Sequence, residues 1–141
     1  MSKQGFGAGI HILVKRNGKY LIMKRSISDS SDPGCWDLPG GGIRYREKPL
    51  DAARREAKEE AGLQVSVTGI IDMWGKMFEG TWSIESLVAA DYIGGNVTLS
   101  HEHTEYKWVT KEELVNVDPK GENLSALFNI NESLIGILNI K

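Results

Sequence analysis

The chain has little cysteine, little net charge and no long apolar run. Its one thiol, Cys35, can close no internal disulfide and build no cysteine-rich zinc site. That scarcity fits a reducing compartment. No apolar stretch approaches the roughly 18 residues of a membrane span. The apolar N-terminal segment is broken by His11, Lys15 and Arg16, unlike a secretory leader. The cytoplasm is the expected location. The 17 Lys and Arg nearly balance 19 Asp and Glu, leaving a net charge of −2. Such a chain is not expected to coat a nucleic-acid polymer or a membrane surface. A single nucleotide is still an allowed ligand. Repeats, low-complexity tracts and linkers are also lacking. Residues 1–141 are therefore expected to form one domain, large enough to bury about two-thirds of its unfolded surface without a staple.

What the chain does have is glycine and tryptophan, 16 and 4 residues, which suggests many turns and a β-rich or mixed fold. Gly9–Val14 and Tyr20–Lys24 read as strands, joined by an Asn17-Gly18 hairpin turn. Gly5, Gly7 and Gly9 make no dinucleotide fingerprint and read as a flexible entry to the first strand. A short strand is expected at Gly40–Arg44. A helix is expected at Pro49–Ala61, with proline suited to its first turn and Gly62 to the residue past its end. Val65–Trp74, Ser83–Tyr92 and Tyr106–Val109 read as strands. Thr110 can cap a short helix through Leu114, and Leu124–Leu138 reads as a C-terminal helix. Strands, helix, strands and helix in that order predict an α+β fold rather than a regular βαβ array.

The central helix carries the chemistry. At about 100° per residue, Glu56, Glu59 and Glu60 fall within an arc of about 100°. Leu50, Ala53, Ala57 and Ala61 form an apolar stripe beside them. Arg55 and Glu59, four residues apart, can pair along the surface. Carboxylates grouped beside a buried stripe repel one another, and a divalent cation would relieve that repulsion. Oxygen ligands favour Mg²⁺ or Mn²⁺. Upstream, Trp36–Gly42 reads WDLPGGG, where three glycines let the backbone approach a ligand or a neighbouring element closely.

Together these pieces make one pattern. Gly41–Leu63, GGIRYREKPLDAARREAKEEAGL, has the form G-x5-E-x7-R-E-U-x-E-E-x-G-U, where U is aliphatic. Gly41, Glu47, Arg55, Glu56, Glu59, Glu60, Gly62 and Leu63 stand in register, and Ala57 is a small residue at the aliphatic position. The segment resembles the Nudix box of the Nudix hydrolase superfamily, in its small MutT-like form. The WDLPGG lead-in and Glu102–Trp108, EHTEYKW, resemble the family as well.

The resemblance implies an α/β/α sandwich with a mixed β-sheet between helices. It also implies metal-dependent hydrolysis of a nucleoside diphosphate linked to another group. The preferred substrate is a nucleoside triphosphate, normal or oxidised, cleaved to monophosphate and pyrophosphate. ADP-ribose or a nucleotide sugar is the alternative, and a non-catalytic nucleotide sensor is a third. By motif position, Glu56, Glu59, Glu60 and the Gly40 carbonyl resemble the metal ligands. Arg55 resembles the residue that orients them, and Glu47 its acidic partner. The general base is Glu56, or else Glu102, six residues before Trp108. A homodimer is compatible with the sequence.

Other residues are candidates by type. Lys24 and Arg25 end the second strand where phosphates can bind. Phe78 and Trp82 can stack on a base, as can Trp74 and Phe6. His101 and His103 flank Glu102 but lack the further ligands a zinc site needs. Cys35 has no evident base partner and is not expected to act as a nucleophile.

Overall fold

The computed structural model describes residues 5–128. Two strands open the chain, β1 (Gly5–Arg16) and β2 (Lys19–Arg25). Asn17 and Gly18 link them with φ of 50° and 76°, both in the left-handed region that a type I′ turn demands. The hairpin is paired only near its turn, at Lys15↔Tyr20 and Arg16↔Lys19. Beyond that the strands splay. The WDLPGGG segment enters the gap as β3 (Trp36–Asp37) on β2 and β4 (Gly40–Gly42) on β1. Ile12 N–H donates to the Pro39 carbonyl at 2.9 Å, seating the bend between them. The glycine entry is thus ordered strand: Gly5–Ala8 pair with Thr81–Ile84.

The helix α1 (Pro49–Ala61) has the bounds its punctuation predicts. Pro49 sits in its first turn, and Gly62 ends it at φ 72° with its N–H on the Ala57 and Lys58 carbonyls. The hairpin β5 (Gln64–Phe78) and β6 (Thr81–Gly94) follows, turning at Glu79 and Gly80 with φ of 49° and 79°. β6 then runs parallel to β1 from Gly5↔Thr81 to Lys15↔Asp91. β7 (His103–Val109) pairs with β2. The short helices α2 (Lys111–Val115) and α3 (Glu122–Ala126) close the described chain. Of the expected C-terminal helix Leu124–Leu138, α3 realises the start and ends at Ala126, with Leu127 and Phe128 in a turn; residues 129–138 lie outside the described residues.

Side chains alternate across the sheet and divide the core in two. Ile10, Ile12, Val14, Leu21, Met23 and Val88 face α1 and meet Ala52, Ala53, Ala57 and Ala61. Leu13, Ile22, Leu38, Ile71 and Leu87 face the other way, onto Leu114 of α2 and Leu124 of α3. Helices therefore cover both faces of a mixed sheet, which is the expected α/β/α sandwich. Leu50 departs from the expected stripe. It is exposed at the start of α1, before the helix reaches the sheet, and Ala52 takes the buried place instead. Among the described residues, no helix is long and apolar enough to cross a membrane.

Candidate active site

Three consecutive glycines do three different things. A Cβ on Gly40 would overlap the Ile10 carbonyl oxygen and the His11 ring. A Cβ on Gly41 would lie 2.5 Å from Glu56 Oε1, so that glycine leaves room for the helix carboxylate. Gly42 is open, with the Ala8 oxygen 3.9 Å from its Cβ position. The backbone close approach expected of WDLPGGG is thus made to β1 at Gly40 and to α1 at Gly41.

Arg55 organises the carboxylates. Its Nε and Nη2 donate to Glu47 at 2.8 and 2.9 Å. Its Nη1 donates to Glu56 at 2.8 Å and to Glu59 at 3.0 Å. Its Nη2 also donates to the Gly42 carbonyl at 2.8 Å. Every N–H of the guanidinium is committed, which ties α1, the loop before it and β4 into one unit. The Arg55 hydrogen bond holds the Glu47 carboxyl down at about 2, and Glu47 in turn raises Arg55.

Glu56 and Glu60 are buried at the helix edge. Burial pushes Glu56 above the usual carboxylate range; Arg55 opposes this, and Glu60 and Glu59 add to it. Past α1 the chain returns along its C-terminal end, with Thr98 N–H on the Ala61 carbonyl at 2.9 Å. That return brings Ser100 to Glu60, where its hydroxyl donates at 2.8 Å. Ser100 Oγ also accepts from the Glu102 N–H at 3.3 Å, and Ser26 N–H fixes the Glu102 carbonyl at 2.9 Å. Burial raises Glu102, and the Glu60 charge raises it further. Burial opposes ionisation of Glu60 too, but His103, Ser100 and Glu102 outweigh it and hold Glu60 low.

His103 is the neighbour that carries no motif role. It is buried, its Nδ1 lies 3.3 Å from Glu60 Oε2, and neither ring nitrogen has a well-aligned hydrogen bond. His101 is exposed on the preceding turn, so the two histidines do not converge. Among the described residues, no three His, Cys, Asp or Glu side chains form a ready cage for a metal ion.

The carboxylates line one part of a cleft of about 680 Å³, a volume within the range of small-ligand sites. Arg25 and Phe78 are among its lining residues. Arg25 also braces the loop over residues 26–34, donating to the Ser31 carbonyl at 2.7 Å and to Asp29 at 2.9 Å. Lys24 and Trp82 are not among the lining residues. Lys24 pairs with Glu105 at 3.3 Å and lies over the Trp36 ring. Trp82 points to the α1 side of the sheet, where it covers Gly75 and stays 45% exposed. Its neighbours Thr81 and Ser83 line the cleft instead. Phe6 is exposed and outside the lining, while Trp74 stacks on His11 at 6.2 Å. Cys35 is half-buried, and burial raises its thiol.

The cleft also holds a polar group with no motif behind it. Glu85 of β6 is buried and accepts from His11 Nε2 at 3.2 Å and from the Ser83 hydroxyl at 2.9 Å. Lys76 stands 3.7 Å away, held at 3.0 Å by Glu122. Burial alone would raise Glu85, but His11, Ser83 and Lys76 outweigh it and keep the carboxyl ionised. A charged residue at an inward position of an apolar strand, SIESLVAA, is the signal that marks it.

A carboxylate edge fixed by one arginine thus opens on a cleft in an α/β/α sandwich. The model of the NUDIX domain family matches residues 4–128. A nucleoside triphosphatase, NudI, from Escherichia coli O139:H28 is 31% identical over 117 residues, covering 75% of this chain and 83% of that protein. Among solved structures, the MutT protein from Methanosarcina mazei Go1 superposes with TM-score 0.80 at 24% identity, covering 99% of each chain. The E. coli ORF135 protein superposes with TM-score 0.78 at 21% identity, covering 98% of this chain and 96% of that one. The chain belongs to the Nudix family and is a pyrophosphohydrolase of nucleotide derivatives.

Proposed function

We propose that the protein hydrolyses a nucleoside triphosphate to the monophosphate and pyrophosphate, with Mg²⁺ as the working cation and Mn²⁺ as a substitute. The observation that carries this reading is the meeting of Glu56, Glu60 and Glu102 beside Gly40–Gly42, with Arg55 orienting the helix carboxylates. The likeness to NudI, named a nucleoside triphosphatase, supports the triphosphate class.

The donor set fits a hard divalent cation. Burial raises Glu56 and Glu102, and the neighbouring carboxylates add to it, so a cation bound among these oxygens would relieve both effects. Mg²⁺ needs only one or two carboxylates and fills its shell from water and substrate phosphates. Glu56 and Glu60 would hold it, with Glu59 and the Gly40 carbonyl adding oxygens. When bound, the cation neutralises phosphate charge and polarises the phosphoryl group.

The chain's own residues do the rest. Arg55 has no N–H left for substrate, so it is a positioning residue, and Glu47 positions Arg55 in turn. Glu56 is walled by Gly41 and bonded to Arg55, which suits a fixed ligand more than a mobile base. Glu102 lies at the solvent edge, and partial burial beside the Glu60 charge raises its affinity for a proton, which suits a proton acceptor. Water attacks one phosphorus of the α,β-anhydride. A new P–O bond forms, the bridging P–O bond breaks, and the proton passes to Glu102. Arg25 and Phe78 contact the bound nucleotide from the cleft wall.

The test is hydrolysis of triphosphates, 8-oxo triphosphates, ADP-ribose and nucleotide sugars, with Mg²⁺ and with EDTA. Metal-dependent pyrophosphate release from a triphosphate supports the reading. Release of a sugar phosphate and a nucleoside monophosphate would move the substrate to ADP-ribose or a nucleotide sugar. Binding without turnover would make the protein a sensor.

A further inference from the structure

We propose that Glu85 reads the nucleobase and selects guanine, the base that presents two adjacent N–H donors. The inference rests on the nucleotide reading above and adds the base to it.

Glu85 stands in a row across the sheet. Gly42 of β4 pairs with Gly9 of β1, Gly9 with Glu85 of β6, and Glu85 with Trp74 of β5. Adjacent strands are about 4.8 Å apart, so Glu85 lies about 10 Å from the Gly42 backbone that Arg55 grips. The two residues between the carboxylate edge and Glu85 are glycines, which leaves a bare floor. A Cβ on Gly9 would overlap the Glu85 carboxylate, so that carboxylate leans over Gly9, back toward the Gly42 end of the row.

The chemistry of this carboxylate narrows its ligand. An ionised carboxylate only accepts, with about four lone-pair sites on two oxygens. His11 uses one site on Oε1 and Ser83 one on Oε2, leaving acceptor capacity on both oxygens. Lys76, 3.7 Å from Oε1, offsets part of its charge, but the carboxylate oxygens themselves accept only, so a neutral donor group belongs against them and the phosphates belong at the cation-binding edge. Guanine offers N1–H and the 2-amino group side by side and can meet both oxygens. Adenine and cytosine place an acceptor nitrogen beside their amino group, and uracil and thymine flank one N–H with two carbonyls. Each would set a lone pair against a carboxylate oxygen. The His11 and Phe78 rings line the cleft with it and supply aromatic surface. A ribose diol also has two adjacent donors, and the test separates it from the base.

The experiment compares kcat/KM for GTP, ITP, dGTP, ATP, CTP and UTP in the wild-type protein and in Glu85→Gln. Inosine differs from guanosine only in lacking the 2-amino group. The wild type should prefer GTP over ITP by about 10- to 100-fold, the cost of one lost hydrogen bond to a charged acceptor. Glu85→Gln is isosteric, and should lower GTP turnover until that ratio approaches one. Calorimetric binding of α,β-methylene analogues of GTP and ITP should give the same ratio without turnover. Equal wild-type constants for GTP and ITP would overturn the inference and leave the triphosphatase reading standing. A variant that loses GTP over dGTP discrimination while keeping its base preference would assign Glu85 to the ribose and overturn it too. If no nucleotide is hydrolysed, the function reading fails, and the analogue binding ratio still decides the base.

Discussion

Replacing Gly41 by Ala should cost activity rather than stability. The added methyl would sit 2.5 Å from Glu56 Oε1, 2.6 Å from Cδ and 2.7 Å from Oε2. All three atoms of the carboxyl group are too close, so rotating it gives no relief. Ordinary contact begins at about 3.4 Å, which forces Glu56 to retreat by about 0.9 Å. The retreating group is the end of a flexible side chain, and the backbone of Gly41 already lies where alanine is at ease. Stability should therefore change by less than about 1 kcal/mol. Function has no such slack. A shift of about 1 Å in a catalytic group costs about 100-fold in rate, or about 2.7 kcal/mol of barrier. The neighbours serve as controls. Gly42→Ala meets no protein atom closer than the Ala8 oxygen at 3.9 Å and should keep wild-type stability. Gly40→Ala drives a methyl into the Ile10 backbone and should cost about 2–3 kcal/mol of stability. The assays are kcat at saturating substrate and Mg²⁺ and the urea midpoint for all three variants. If Gly41→Ala keeps kcat within threefold of wild type, the Gly41–Glu56 contact is not what positions the site.

Other perturbations have expected outcomes. Arg55→Lys replaces a planar fork by a point charge that cannot span Glu47, Glu56, Glu59 and the Gly42 carbonyl together. It should lower kcat by about 10- to 100-fold, with KM changing less. Glu47 is held at about 2 against an ordinary value of 4.5, so its pairing stabilises the fold fully above about 4.5 and is lost as pH falls through about 2. The urea-midpoint gap between wild type and Glu47→Gln should be constant near neutral pH and close between pH 4.5 and pH 2. Thr110 caps α2 through a complete capping box with Glu113. Thr110→Ala should cost about 1 kcal/mol, seen as a Tm lower by about 3–5 °C, with kcat unchanged because α2 does not line the cleft.

The two halves of the cleft differ in how legible they are, and the difference is one of sequence distance. Glu56, Glu59, Glu60 and Arg55 lie on one helix, where spacing alone sets geometry, and Pro49 and Gly62 mark its ends. Local rules therefore place the carboxylate edge before any tertiary contact is known. The Asn17-Gly18 turn is legible for the same reason. Trp82 shows where local rules stop. An aromatic beside the helix is a sound stacking candidate, but a one-residue step along β6 turns it to the other face and leaves Ser83 in the cleft. β3 and β4 are too short to show a period, and their pairing depends on a hairpin that splays. Glu85 and His11 are further still from local logic, 74 residues apart and joined only because β1 and β6 run parallel. A buried Glu and a buried His each look like an error in an apolar strand, and only the register turns two errors into one hydrogen-bonded pair. In this chain the groups proposed for bond cleavage are encoded within a helix, while the group proposed for substrate choice is encoded between strands. The motif can therefore be complete and still leave the base unread.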